Sequence, residues 1–331
     1  MKRKREDMIQ KNAQIELKYD LNNLHHVVVQ ASAISPQQVY ALQLLHQQTD
    51  TVVYRHPAFG QEIDFEDEEP ILYLKGNNQN LADSHTQTWI YSGRENRYFV
   101  GVKPKKFGHT LWATQIARVN LGEAGEQIFN SNTQLPRLSY LNRAGKRYPG
   151  KNLVRVEAAI SPDFQTFLIA SIDKEHTGYF ALYNLAEINK MLDGIEDNPK
   201  DINIENLTCL DAFTIPNFNS KYIASIQGYG IDNEKNIYIS SQLSPKQNWL
   251  GFAIQSSPRE IVKIPWESKV AENWEVINLD KEKILNMRGF VTEFEGLQVI
   301  GKNHLYLTVA YHKRYGGTTI HNKIFEVSIE N

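Results

Sequence analysis

A single cysteine, Cys209, among 331 residues excludes an internal disulfide framework, and its apolar setting in Leu207–Leu210 predicts a small buried side chain. No segment approaches the roughly eighteen consecutive apolar residues of a membrane-spanning helix. The start, Lys2-Arg3-Lys4-Arg5, is basic like the head of an export signal, but Met8–Ala13 is polar where an apolar segment belongs. Standard Sec export is therefore not expected, and release would need a dedicated transporter, lysis or another route. Basic and acidic residues nearly balance at 36 and 38, so no global field draws the chain to nucleic acid, and no nucleic-acid partner is expected. Histidines are scattered with no zinc-binding spacing, and there is neither a Gly-x-Ser-x-Gly elbow nor a phosphate-cradling glycine loop. No metal and no cofactor are expected.

What the sequence does contain is one motif written five times, at intervals of roughly sixty to seventy residues, the mark of a repeated supersecondary unit. A polar side chain leads into small or apolar residues, then a tight turn, then a β-rich strand. The copies start at Val29–Pro36, His85–Trp89, Glu157–Asp163, Gln227–Asp232 and Glu295–Gly301. Repeats of this size with several strands each point to an all-β, five-bladed β-propeller forming a single domain. The blade cores fall near 25–56, 85–120, 155–185, 225–266 and 294–329.

The first thirteen residues read as a flexible tail, and 14–331 as the propeller. Ile15, Leu17, Tyr19 and Leu21 alternate with polar neighbours, as a half-buried strand requires. Lys323–Ile329 alternates in the same way. An unclosed propeller leaves bare strand edges, so the strand at 14–21 is expected to complete the blade holding 295–329. Ile188, Leu192 and Ile195 fall at helical spacing within Ala186–Ile195, which reads as a helix inserted beside the third blade. The acidic segment 61–69 lacks the ligand spacing of a calcium loop and reads as a solvated connection. The basic run Gly101–Lys106 reads as a solvated turn, and Trp89, Trp112 and Trp266 as packing between blades.

Equivalent starts of inner strands would gather Gln30, Gln87, Glu157, Gln227 and Glu295 at one mouth, with a register that drifts by a residue or two. Such a cluster can bind a ligand through a few placed polar groups, and Glu157 with Glu295 could act as acid and base or as nucleophile. The same positions can simply hold strand backbones together, and the excess of amides over acids favours that reading. His85, beside Gln87 and Trp89, is the histidine best placed to touch a ligand. Tyr229 is the aromatic expected to face an opening, where it could stack on a sugar.

Several strings resemble the helveticin J family, large bacteriocins of lactic acid bacteria: His85–Trp89, Gly101–Pro104, Gln115–Val119, Pro136–Gly145, Glu157–Asp163, Ser225–Tyr229 and Leu305–His312. The similarity runs from about residue 25 to the C-terminus and leaves out 1–20 and 61–69. It implies a secreted antibacterial protein acting on related Gram-positive bacteria, and it brings no catalytic residues with it. The propeller would then recognise a glycan or protein on the target-cell surface, and an immunity protein is a possible partner. The alternative is a carbohydrate-active enzyme that cleaves wall polysaccharide through Glu157 and Glu295.

Overall fold

Strands buried on both faces read as unbroken runs of small and apolar residues, whereas strands with one wet face alternate. Both patterns occur along the chain. Leu153–Ile160 and Ile226–Ile231 are buried along their whole length, while Ala13–Asn22 alternates between half-buried and exposed positions before sinking at Tyr19 and Leu21. The computed structural model describes residues 8–76, 84–122, 126–223 and 225–330. Its five larger sheets are the blades of a β-propeller.

The first blade runs from Val29–Ile34 through Gln38–Leu45 and Asp50–Pro57 to Leu72–Leu74. The second holds Trp89–Tyr91, Arg97–Phe107, Thr110–Asn120 and Arg137–Ser139, and the third Leu153–Ile160, Thr166–Asp173, Gly178–Asn184 and Cys209–Ile215. The fourth comprises Ile226–Ile231, Ile237–Ser241, Glu260–Ile264 and Glu275–Asn278. In the fifth, Phe290–Gly301, His304–Lys313 and Thr319–Ile329 are completed by Ala13–Asn22. That strand pairs antiparallel with Thr319–Ile329, from Ala13 opposite Ile329 to Leu21 opposite Asn322. The closure expected from the alternation at 14–21 is therefore present.

Four blades gain a fifth, parallel strand of three residues. Gln127–Phe129 joins the first blade and Asp201–Asn203 the second, while Ile9–Lys11 joins the fourth and Glu62–Asp64 the fifth. In each case the added strand comes from the chain of the succeeding blade or leads directly into it. This changes two readings. Residues 9–11 lie in a ladder where a tail over 1–13 is expected, and residues 1–7 fall outside the described residues. The acidic segment is anchored by Ile63 and Phe65, which are buried between its carboxylates. The basic run Gly101–Lys106 likewise continues an eleven-residue strand, in which Lys105 Nζ donates to the carbonyls of Gly150, Lys151 and Leu153.

The described chain packs as two compact units. One holds the residues up to Gln43, Tyr54–Glu68 and those from Lys221 on; the other holds Leu44–Val53 and Glu69–Ser220. The core of the second unit gathers Phe99, Val156, Phe167, Tyr183, Ile188 and Leu192. The helix Leu185–Asp193 adds the last two of these. Its N-cap Asn184 accepts from Glu187 N at 3.0 Å, and it stops at Gly194. Cys209 is half-buried against this core, and burial pushes its thiol up. In the first unit the core runs through Tyr238, Phe294, Leu307, Tyr311 and Phe325. Each fully buried side chain of this size contributes about 1.5–3 kcal/mol, so the two cores carry most of the stability.

Candidate functional site

In the unit holding the second and third blades, strand Leu153–Ile160 places Arg155 and Glu157 two residues apart, hence on one face. Opposite them, Thr86, Gln87 and Thr88 lead into the second blade. The Glu157 carboxylate is buried and both its oxygens accept hydrogen bonds. Oε2 accepts from Thr86 Oγ1 at 3.0 Å, Gln87 N at 3.2 Å and Thr88 Oγ1 at 2.5 Å, while Oε1 accepts from Arg155 Nε at 3.1 Å. Arg155 Nη2 donates to Gln87 Oε1, and its guanidinium lies 4.4 Å over the Trp112 ring. A buried carboxylate with this many donors is stabilised as a hub between strands.

His85 meets the same group at Trp112 and Gln87. Its ring packs edge-on to Trp112 at 4.5 Å, and Nδ1 lies 2.9 Å from Gln48 Oε1. Desolvation, helped by the Arg155 charge, pushes the imidazole down from 6.5 to about 3, so His85 is neutral near pH 7. The unfolded chain protonates here below 6.5 while the folded protein resists until about 3, so stability falls as pH drops through that window. We expect His85→Gln to flatten the decline of Tm between these pH values. Parallel profiles for the variant and the parent would refute this assignment.

Gln30, Gln227, Tyr229 and Glu295 belong to the other unit, and all four are buried. Tyr229 is therefore not offered to an opening as expected; it lies within the fully buried strand Ile226–Ile231. Gln227 Nε2 donates to the carbonyl of Gln242 at 2.9 Å. The Gln242 side chain in turn bonds the backbone of Thr292 at 2.6 Å and of Phe294 at 3.0 Å. The strand ladders skip Gln30, Gln227 and the pair Glu295–Gly296, so these three polar residues sit on bulges. Glu157 does not: it stands in regular register opposite Ala170, and the corresponding irregularity falls at Val154. The five aligned residues thus do not share one structural position.

Close backbone approach explains the glycines that follow two of the bulges. A Cβ on Gly228 would lie 2.8 Å from Gly296 Cα, and one on Gly296 would lie 2.8 Å from the Gln30 carbonyl oxygen. Nearby, His312 Nε2 is 3.0 Å from Glu293 Oε2 and Nδ1 is 3.1 Å from Thr319 Oγ1, a buried pair absent from the expected set. Arg155, Trp112, Thr86 and Thr88 were also missed. The i, i+2 spacing of Arg155 and Glu157 in a strand was the one signal that could have found the first of these.

Chemically, Glu157, Arg155, Gln227 and Gln242 are held by internal partners. Both Glu157 oxygens already accept from internal donors, and Trp112 carries a cation rather than only packing between blades. Among the described residues no group of three or more His, Cys, Asp or Glu side chains is arranged to hold a metal ion. A cleft of ≈ 150 Å³ beside Ser92, Arg94, Phe164 and Asn189 is smaller than ordinary small-molecule sites.

The chain matches the family described as bacteriocin helveticin-J over residues 9–330. It is 39% identical over 341 residues to bacteriocin helveticin-J of Lactobacillus helveticus, with 96% of this chain and 97% of that one covered. Among solved structures it is similar to a thermostable family-43 glycoside hydrolase, with a TM-score of 0.46, 11% identity and 95% and 96% of the two chains covered. It is also similar to the α-L-arabinofuranosidase of Fusarium graminearum solved with arabinobiose, with a TM-score of 0.38, 8% identity and 95% and 76% covered. At these scores neither likeness bears on chemistry.

Proposed function

Because this chain belongs to the helveticin-J family of bacteriocins, we propose that it is an exported antibacterial protein that inhibits or kills related Gram-positive bacteria. Its propeller serves as a recognition body for a glycan or protein on the target-cell surface. The observation that carries this reading is the 39% identity sustained over 96% of the chain. The burial of Glu157, with internal donors on both its oxygens, supports recognition over hydrolysis, since a general acid or nucleophile must reach its substrate. A producing strain exposed to its own product would need protection, so an immunity protein is the second expected partner.

The test applies purified protein to related lactic acid bacteria and, in parallel, to their isolated walls. Growth inhibition with no soluble reducing sugar is the expected outcome. Failure to inhibit any related strain overturns the antibacterial reading. Sugar release that is abolished by Glu157→Gln or Glu295→Gln in folded protein replaces it with the carbohydrate-active enzyme.

A further inference from the structure

The side chains least explained by folding lie in the unit that contains the fourth and fifth blades. Lys246–Gln247 and Ala253–Ile254 form a two-stranded hairpin outside the five blades. At its tip Trp249 is 90% exposed, with Leu250, Phe252 and Ile254 exposed around it. Tyr315, 71% exposed, crosses edge-on to Phe252 with ring centroids 5.6 Å apart. Single exposed apolar residues need no explanation, whereas a contiguous group of them marks a contact surface.

The tip is built rather than loose. Asn248 Oδ1 accepts from Leu250 N at 3.0 Å and Phe252 N at 2.9 Å, and Asn248 N donates to the Phe252 carbonyl at 2.9 Å. Gly251 adopts the left-handed conformation that the turn requires (φ 79) and donates to the Asn248 carbonyl. A second loop buttresses the first. Ala253 N donates to the Arg314 carbonyl, Gly316 N to the Gly251 carbonyl and Gln247 Nε2 to the Gly316 carbonyl. The turn's backbone polar groups are thus largely served internally, as entry into a region poor in water demands.

Charge supplies the second, independent observation. The three segments that meet here, 243–256, 286–290 and 313–318, carry Lys246, Arg288, Lys313 and Arg314 and not one acidic residue. All four cations are exposed, in a chain whose net charge is −2. The global balance therefore conceals a local cationic collar around an apolar tip.

We infer that this hairpin is a lipid-docking element. Trp249, Leu250, Phe252 and Tyr315 enter the headgroup region of an anionic bilayer, and the four cations pair with its phosphates. Tryptophan and tyrosine are suited to that depth, having an apolar body and a polar edge. Leu250 and Ile254 decide between lipid and a soluble polyanion. A sugar chain or wall polymer gains little from aliphatic side chains, whereas hydrocarbon accepts them. The element is too short to span, so it adsorbs at the interface, and combined apolar and electrostatic contacts hold it there.

Vesicle flotation tests this with the full-length protein. It should float with phosphatidylglycerol vesicles and not with phosphatidylcholine vesicles, and should lose most of that binding at high salt. Trp249→Ser with Leu250→Ser should weaken partition by about ten-fold or more, and Lys313→Gln with Arg314→Gln should do so at low salt, with Tm unchanged because all four side chains are exposed. Absence of binding to anionic vesicles, or binding indifferent to both double variants, overturns the inference. So does retention by isolated anionic wall polymer, or a concentration-dependent dimer, that the tip variants abolish in place of vesicle binding. Vesicles hold no receptor and no living cell. A negative result here is therefore distinct from failure of the antibacterial reading.

Discussion

Replacing Glu157 with alanine is expected to destabilise the folded protein by about 3–5 kcal/mol, the usual consequence of removing one partner from a buried ion pair. The loss has three parts. The Arg155 guanidinium, itself buried, is left without its carboxylate. The hydroxyls of Thr86 and Thr88 and the Gln87 amide lose their shared acceptor. The strand Leu153–Ile160 loses its polar tie to the second blade. Glu157→Gln should be milder, because one oxygen remains, though its amide hydrogens face donors. Adding Arg155→Met to Glu157→Ala should recover part of the loss, since the stranded charge is gone and the two effects are coupled. Denaturant unfolding of the single and double variants reads all of this. Near-parental stability of Glu157→Ala together with lost antibacterial activity would instead mark Glu157 as a working residue.

The second large effect is expected at Gly296. A valine there places its Cβ 2.8 Å from the Gln30 carbonyl oxygen and 3.2 Å from Ala31 Cα, both backbone atoms that no rotamer change can move. Two inner strands must separate, and a penalty of about 3 kcal/mol follows, at the upper end of ordinary overpacking. Gly228 poses the same problem one strand along, against Gly296 Cα and Leu297 N. Because both substitutions press on the strand Phe290–Gly301, their effects should not add. Gly228→Ala and Gly296→Ala together should destabilise by more than the sum of the two alone, because the strand is pressed from both sides and a shift that relieves one contact tightens the other. Strict additivity would show that the strands yield independently.

These two clusters also mark where reading the sequence works and where it stops. The blades are legible because each repeat combines a tight turn with a period-two or fully apolar strand, and Ile15, Leu17, Tyr19 and Leu21 announce the borrowed strand through the same alternation. The three-residue strands Ile9–Lys11, Glu62–Asp64, Gln127–Phe129 and Asp201–Asn203 are too short to show any period, so a tail and a solvated loop were expected at the first two. At the candidate site, aligning Glu157 with Gln30 and Gln227 follows the motif faithfully, yet bulges at Gln30, Gln227 and Glu295 and at Val154 break the equivalence. A bulge is one inserted residue, and nothing in the local composition of Val154 announces it. Tyr229 misled for a related reason: flanking glycines suggest an open turn, but here they admit a neighbouring strand, as the 2.5 Å approach of Val299 Cγ2 to a Cβ on Gly230 makes plain.

The short parallel strands have an evolutionary corollary. Each of the four is an outer edge supplied to one blade by chain that belongs with the next. A stretch of gene covering one blade therefore encodes part of its neighbour as well. Deleting, duplicating or transplanting such a stretch would leave one sheet bare at its rim and another crowded. Change in this architecture is accordingly channelled into hairpin tips and surface loops, with the number of blades held constant.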